Sequence, residues 1–552
     1  MREPKDEIRK FAQAYKYNLK PLAVSRFASF LKRYGTGEEH RRDLLRDLFS
    51  LIGEQCCDNR LVDELKADAV ISLQEAKIKG CLGTDGSSSV QVVSLGAVPK
   101  VFVDEVSNEL RVSSSSAALN RLQCLNQRYT LARRRCLRCG LYQKSVDQRS
   151  PHDGSLALLP TSALEGLDPG LQVAVLGLLV VRDDEVFLED LRGQIKLKFS
   201  EQSRVTQHCF VGNGFLTVVS GLWVNGILQV TRVDLPPAER REVTLRDAGS
   251  GMDLFGLAPR NPMEALREEK KRVQSVIIVM AHVHLDKAGT MSKLARFFER
   301  MQGLSESELR DVTFVFTGDF SSVPLHFGDA SHLPDIFDNS DRLQILLDGL
   351  GRCIAANAPT AAQHSHFVLI PGPSDMTLLQ GFQPQTPIAT QFAKGVESRT
   401  KKLTVAPNPC RLRFYTHEVI IARRDFLRDL QRGELLYPWD RYRTKERTDA
   451  ALDRGAPSGA GAAATTSFER VTKTLLDEAH LSPSIDEAVL WGADDALRIP
   501  VLPHTMLLCD STEQWECHYK GVHVVNPGSF AVNGTFLWYT PADGQCSLNK
   551  LE

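Results

Sequence analysis

Histidine and aspartate side chains follow three apolar stretches in the C-terminal half of the chain. His282 and His284 come after the first stretch, Asp319 after the second and Asp375 after the third. Imidazole and carboxylate groups are common ligands of divalent metal ions, and a bound metal ion can activate water for hydrolysis. The residue types and their order therefore raise the hypothesis of a metal-dependent hydrolytic site.

The stretches that precede these side chains have the composition of buried strands. They cover residues 276–280, 313–317 and 367–370, and a helix is predicted over residues 291–301. Strands that alternate with helices indicate an α/β domain with parallel strands. In such domains functional side chains lie in the loops at the carboxyl ends of the strands.

The order and spacing of these segments resemble the calcineurin-like metallophosphoesterases. Active members use Asp-x-His, Gly-Asp-x-x-Asp, Gly-Asn-His-Asp/Glu, a lone His and Gly-His-x-His to hold two metal ions roughly 3.5–4 Å apart. This chain has His282 where the first Asp is expected and Ser322 where the bridging Asp is expected. The other replacements are Pro373 and Ser374 for the Asn and His of the third motif, and Asp510 and Thr512 for the histidines of the last motif.

The resemblance therefore implies a phosphoesterase fold without its activity. Without the bridging carboxylate, two cations would repel each other uncompensated. We predict no catalytic residue, no metal and no cofactor. A single ion on His282, His284 and Asp319 stays open as an alternative, as does an ordinary polar loop. The degenerate remnants of the metal site are His282, His284, Asp319, Ser322, Asp375, His480, Asp510 and Thr512, with His480 matching the lone His.

The first part of the chain has the spacing of amphipathic helices. Phe11, Tyr15 and Leu19 recur every four residues, and leucines repeat this interval further on. We predict a helical N-terminal domain over residues 1–77. Residues 78–160 are predicted to form a linker and connecting segment, because residues 80–96 are rich in Gly and Ser.

Short strands dominate the middle of the chain. Asn225-Gly226 separates two apolar segments and is a strong hairpin indicator. Five short strands in about seventy residues favour a small barrel, and we predict an OB-fold over residues 161–250. The phosphoesterase domain is predicted over residues 265–552, with a disordered insertion at 433–468 that is too rich in small residues to bury apolar surface. The predicted fold class is multidomain α+β: a helical N-terminal domain, an OB-fold β-barrel and an inactive calcineurin-like α/β sandwich.

Composition excludes several classes of protein. The chain has 552 residues with 67 Lys and Arg against 68 Asp and Glu, a formal net charge of -1, so it is not built to coat nucleic acid. It has no apolar run long enough for a transmembrane helix and no apolar N-terminal signal. Its 12 cysteines are too sparse for a disulfide framework, so we expect reduced thiols in a cytosolic or nuclear protein.

An OB barrel followed by a degenerate phosphoesterase domain resembles the B subunits of eukaryotic replicative DNA polymerases. Residues 405–422, 367–375, 480–483 and 526–530 resemble the epsilon branch of that family, which also has a helical N-terminal domain. The resemblance implies a non-catalytic nuclear scaffold. Its implied partners are the C-terminal zinc-containing region of the polymerase epsilon catalytic subunit and, through the N-terminal domain, components of the replicative helicase. DNA is implied as an indirect partner through the holoenzyme.

Three alternative interpretations stay open. The chain could be an active phosphoesterase or nuclease with unusual ligands, a single-strand binding module, or the B subunit of polymerase delta or alpha. Cys136 and Cys139 have the spacing of half a zinc site, but no second pair completes it. Single-strand binding would need aromatic platforms on a basic groove of the barrel.

Overall fold

The computed structural model describes most of the chain in two compact units, Met1–Ser88 and Ser89–Glu552. No helix among the described residues is long and apolar enough to span a membrane. The described residues are 4–34, 41–42, 44–46, 48–49, 52, 61–62, 64, 66–67, 70–71, 90–104, 107–113, 118–143, 155–201, 203–206, 208–249, 252–259, 261–325, 339–435 and 466–551.

Among its described residues, the N-terminal unit includes the helices α1 (Pro4–Ala14) and α2 (Pro21–Tyr34), and further helical residues follow between 41 and 71. Between them β1 (Asn18–Leu19) pairs in parallel with β2 (Leu61–Val62). The prediction of a helical segment that includes Tyr15 and Leu19 is therefore wrong, because the first helix ends at Ala14 and Leu19 lies in β1. The core of this unit is aliphatic and aromatic, with Ile8, Phe27, Leu31, Leu45, Leu48 and Phe49 fully buried.

A connecting region opens the second unit. It contains β3 (Val90–Val93), the hairpin β4 (Lys100–Val103) and β5 (Leu110–Ser113), and helix α3 (Arg121–Arg138). The sequence predicts a linker over residues 80–96, but β3 pairs with a strand of the C-terminal domain, as described below. Val90 and Val93, the first and last residues of β3, are buried in that pairing. The Gly- and Ser-rich sequence around them gives no indication of this burial. Two short strands follow as a parallel pair, β6 (Tyr142–Gln143) and β7 (Leu156–Ala157).

A six-stranded barrel follows this region. Its strand order is β10-β9-β8-β12-β13-β11, and a parallel pairing of β10 with β13 closes it. The predicted hairpin is confirmed: Asn225 and Gly226 both have positive φ, as a tight two-residue turn requires. The strands are β8 (Gln172–Arg182), β9 (Glu185–Glu189), β10 (Gln194–Lys198), β11 (Arg204–Val205), β12 (Leu216–Val224) and β13 (Ile227–Asp234).

Two further six-stranded sheets form the C-terminal α/β region. The first has the order β17-β16-β15-β14-β23-β24 and the second β21-β22-β20-β19-β18-β3. The strands are β14 (Val276–Met280), β15 (Val312–Thr317), β16 (His366–Ile370), β17 (Lys402–Val405), β18 (Cys410–Phe414), β19 (His417–Ala422), β20 (Thr505–Leu508), β21 (Trp515–Tyr519), β22 (Val522–Asn526), β23 (Thr535–Thr540) and β24 (Gln545–Lys550).

The two sheets share a core between them, and helices cover the outer face of the first sheet. Side chains such as Val279, Val368, Leu412 and Leu507 alternate inward to form the shared core. The helices of the second unit after α3 are α4 (Arg241–Ala248), α5 (Pro262–Lys271), α6 (Ala288–Met301), α7 (Glu306–Arg310), α8 (Asn339–Asn357), α9 (Pro359–His364), α10 (Thr390–Glu397), α11 (Phe426–Gly433), α12 (Ser467–Glu478) and α13 (Phe530–Asn533).

Strand direction decides where the ligand-type side chains meet. β14, β15 and β16 are parallel neighbours in the first sheet, and β19 and β20 are parallel neighbours in the second. Their carboxyl ends carry the loops that begin at Ala281, Gly318, Pro371, Arg423 and Cys509. The predicted insertion at 433–468 lies outside the described residues except at its ends, where α11 finishes and α12 begins.

Candidate functional site

An arginine lies at the centre of the strand-end loops. Arg423 follows β19 directly and is 2% exposed. Its guanidinium donates to Nδ1 of His282 at 3.1 Å, to Oδ2 of Asp319 at 3.0 Å and to Oδ1 of Asp425 at 3.2 Å. Its Nε donates to the Gly318 carbonyl at 2.9 Å. The positive charge at this site therefore comes from the chain itself.

The bond to Arg423 fixes the chemistry of His282. A guanidinium can only donate, so Nδ1 of His282 must accept and the proton of the neutral ring lies on Nε2. Burial, and then the charge of Arg423, lower the pKa of His282 to about 2, which keeps the ring neutral. Nε2 lies 3.9 Å from Oδ1 of Asp425. Neither nitrogen has a lone pair free for a metal ion while Arg423 is in place.

The described residues contain one cluster with metal-ligand geometry, formed by His282, His284 and Asp319. Their ligand atoms all lie within 4.8 Å of one another. Nδ1 of His284 is buried without a hydrogen-bond partner, and burial followed by the charge of Lys287 lowers the pKa of its ring. The donor set holds one carboxylate and two neutral rings, and Arg423 binds two of the three. A pair of divalent cations does not fit it, because no carboxylate is left to bridge them and a fixed cation is already there.

Asp375 is buried and bonded to the backbone of two strand-end loops. Its two carboxylate oxygens accept from the backbone N–H groups of Phe320 and Gly372, each at 2.8 Å. Burial and the charge of Asp319 raise its pKa to about 8. A Cβ on Gly318 would lie 1.8 Å from Asp375 Oδ2, so the close packing of the two loops requires glycine there.

The other predicted remnants lie in local networks. The hydroxyl and backbone N–H of Ser322 both donate to Asp286. The carboxylate of Asp510 accepts from the backbone of Leu427 at 3.0 Å and of Thr512 at 3.1 Å, and Thr512 Oγ1 accepts from Asn526. These side chains hold the ends of their loops, and none is bonded to Arg423.

His480 belongs to a buried network that includes Asp494. It is fully buried, its Nε2 lies 3.1 Å from Oδ1 of Asp494, and its Nδ1 accepts from the Ser482 backbone at 3.0 Å. Asp494 also accepts from Nε of Arg498 at 2.6 Å. Burial lowers the pKa of His480 to about 4. Both ring nitrogens of His480 are used in this network, and its match to the lone histidine of the motif stays a prediction.

Arg423 and Asp425 are not among the site residues predicted from the sequence. Asp425 is bonded to Arg423 and Arg428, and it also accepts from the backbone of Ser511 at 3.1 Å. The pattern that could have found them is the one used elsewhere: charged residues directly after a buried strand, here β19.

Two other predicted features have no ligand geometry. Burial raises the pKa of the Cys136 thiol to about 12, and the Cys139 thiol donates to the Cys136 carbonyl. In the barrel, Phe210, Phe215 and Trp223 are buried and so are not available to stack on bases, whereas Phe187 and Phe199 are half-buried.

Comparisons with known proteins identify relatives over most of the chain. The model of the family described as the B subunit of DNA polymerases alpha and epsilon matches residues 277–517. The model described as DNA polymerase epsilon subunit 2-like, OB-fold domain, matches residues 118–237, which includes α3 and the barrel. The predicted OB-fold thus agrees with a known domain family.

Named relatives come from plants, fungi and animals. The B subunit of DNA polymerase epsilon from Arabidopsis thaliana is 26% identical over 488 residues, covering 85% of this chain and 84% of its own. The Saccharomyces cerevisiae protein of the same name is 27% identical, covering 72% and 62%. DNA polymerase epsilon subunit 2 of Homo sapiens is 25% identical, covering 78% and 76%. A solved archaeal phosphodiesterase aligns with 50% of this chain at 9% identity and a TM-score of 0.23, too low to equate the folds.

Proposed function

Because this chain belongs to the family of B subunits of DNA polymerases alpha and epsilon, which serves DNA replication, we propose that it is the non-catalytic B subunit of the DNA polymerase epsilon holoenzyme. In this role it binds the C-terminal zinc-containing region of the catalytic subunit and acts in the nucleus. Its N-terminal unit helps to tether the polymerase to the replicative helicase.

The buried Arg423 supports the non-catalytic part of this proposal. A metallophosphoesterase needs two cations that can bind and polarise a phosphate oxygen and a water molecule. Here a guanidinium is held by His282, Asp319 and Asp425. An arginine cannot lower the pKa of a bound water as a metal ion does. The loops therefore keep their shape but cannot activate water for hydrolysis.

The domain plan of the proposal has four parts. A helical N-terminal domain covers residues 1–77, a connecting segment 78–160, the OB-fold 161–250 and the inactive phosphoesterase domain 265–552. The large rigid surface of the barrel and the two-sheet domain suits a scaffold, because obligate interfaces between subunits are extensive.

Co-purification from cells tests the proposed partner. The full chain, tagged and expressed at its natural level, should bring down one large DNA polymerase subunit, and that subunit should be the epsilon catalytic subunit. Recovery of the alpha or delta catalytic subunit would move the chain to a different holoenzyme. Recovery of no polymerase subunit would refute the proposal.

The second candidate, an active phosphoesterase, is favoured only by the His282, His284 and Asp319 cluster. A phosphodiester assay with added Mn²⁺ or Zn²⁺ on the purified chain separates the two. We expect no turnover above that of the Asp319→Ala variant. Turnover that the wild type shows and this variant lacks would make the chain an enzyme.

A further inference from the structure

A cationic cavity lies where helix α3 meets the barrel, away from the strand-end loops. Its volume is about 480 Å³, and its walls include Arg133, Arg134, Arg192, Tyr129, Thr130 and Leu191. Arg133 and Arg134 belong to α3, and Leu191 and Arg192 belong to the turn between β9 and β10. The fold thus brings three guanidinium groups from two distant segments to one cavity.

Two of the three arginines of the cavity have no acidic partner. Within the described residues, Arg133 and Arg192 have no ion-pair or side-chain hydrogen-bond partner. Arg134 is 9% exposed and pairs through NH2 with Asp247, but its NH1 is buried with no hydrogen-bond partner. A buried, unsatisfied guanidinium nitrogen has a substantial free-energy cost unless a ligand satisfies it.

The acidic residue in the wall, Asp190, forms no ion pair with these arginines among the described residues. Its oxygens accept from the hydroxyl of Thr161 at 2.6 Å and from the backbone N–H groups of Thr161, Arg192 and Gly193 at 2.7, 2.8 and 3.1 Å. With four donors from the chain, the carboxylate holds the turn that carries Arg192. One carboxylate in the wall faces three guanidinium groups, of which Arg134 alone has an acidic partner of its own, so the cavity keeps an excess of positive charge.

A second cavity of about 360 Å³ adjoins the first and shares Val103, Thr130 and Leu191 with it. Its remaining walls are uncharged apart from Asp104, which is paired with Arg111 at 3.1 Å. The combined groove has unpaired cations at one end only. A single-stranded nucleic acid carries a phosphate on every nucleotide and would need cations along the whole groove, whereas these lie at one end.

We propose that this groove binds an extended peptide segment of a protein partner, with a phosphorylated side chain in the cationic cavity. Several guanidinium groups around one anion are the usual means of recognising a phosphate monoester in a peptide. The uncharged second cavity takes the residues that flank the phosphorylated one. This inference does not rest on the proposed function as a polymerase subunit.

Fluorescence anisotropy on the full chain tests the proposal. The probes are a pool of short fluorescein-labelled peptides with a central phosphothreonine and random flanks, and matched pools with Thr or Glu at the centre. An oligothymidine of similar length is the fourth probe. We expect the phosphothreonine pool to bind more tightly than the Thr and Glu pools, with a shallow dependence on salt.

Variants locate the site. Arg133→Gln and Arg192→Gln should each weaken binding of the phosphothreonine pool about tenfold or more, the loss expected for a charge-assisted hydrogen bond. Arg204→Gln is the control, because Arg204 is an exposed arginine of the same barrel outside the cavity. It should change binding less than about twofold.

Three results would overturn the proposal. The first is no preference for phosphothreonine over Thr or Glu. The second is equal losses in Arg192→Gln and Arg204→Gln. The third is tighter binding of oligothymidine with a steep salt dependence, which would assign the groove to a nucleic-acid backbone.

Discussion

The strand-end loops and the cationic cavity both concentrate arginine, but they obtain their counter-charges differently. Arg423 is surrounded by His282, Asp319 and Asp425, all from the same chain. Arg133 and Arg192 have no such acceptors among the described residues, and the nearby Asp190 is occupied by its own turn. A buried charge that the chain compensates is part of the fold, whereas the half-buried Arg133 and the exposed Arg192, which have no partner among the described residues, are available to a ligand. The contacts of Arg423 are those of a structural region, and the interaction surface that we propose lies in the cationic cavity instead.

Removing the guanidinium from the strand-end loops should have the largest effect. Arg423→Met leaves the carboxylates of Asp319 and Asp425 without their buried partner, and should lower the free energy of unfolding by about 3–5 kcal/mol. Denaturant unfolding of the full chain measures it. Arg428→Met is the control, because Arg428 pairs with the same Asp425 but is 59% exposed. It should cost less than about 1 kcal/mol; equal losses would mean that Arg423 has no special structural role.

The pH dependence of stability should report the buried carboxyl between the loops. The pKa of Asp375 is raised to about 8, against 3.8 for a free aspartate, so between these values the native state keeps a proton that the unfolded chain has lost. Its contribution to stability is complete below about pH 4 and is lost as the pH rises through 8, by up to ~1.4 kcal/mol per pH unit.

Asp375→Asn removes this titration. Denaturant unfolding at pH 5 and pH 7.5 should show the free energy of unfolding of the wild type falling more than that of the variant as the pH rises. Parallel pH profiles of the two proteins would show that Asp375 is ionised in the fold.

Metal binding should appear only when the internal cation is removed. Arg423→Ala frees Nδ1 of His282 and Oδ2 of Asp319, which lie with His284 in one cluster. Saturating Mn²⁺ or Zn²⁺ should then raise the free energy of unfolding of this variant by about 1–2 kcal/mol, and leave the wild type unchanged. The double variant Arg423→Ala/His284→Ala should lose the gain. A comparable gain in the wild type would revive the single-ion alternative.

The smallest effect is expected in the cationic cavity. Arg133→Gln and Arg192→Gln remove charges with no partner among the described residues, so each should change the free energy of unfolding by less than about 0.5 kcal/mol. Thermal melting of the full chain checks this. A loss of about 2 kcal/mol or more in either variant would place these arginines in the fold, and the contrast with Arg423 would fail.

Much of the local structure could be predicted from the sequence. The buried strands of the α/β region lie within a residue of their predicted positions, and Asn225-Gly226 forms its turn, because apolar runs and turn residues act over short distances. The linker through residue 96 was wrong because β3 derives its burial from a partner strand, β18, that lies far away in the sequence.

The sequence by itself determined which ligands were missing. Ser322 has no carboxylate, and Asp510 and Thr512 have no imidazole, so none of them can supply the group that the motif has at its position. Only the tertiary structure decided what replaced them. An arginine after a strand is exposed or buried according to the acceptors that other segments bring to it, and those of Arg423 come from the ends of β14 and β15. For the same reason only the tertiary structure shows that His480 is bonded to Asp494, which Arg498 also contacts.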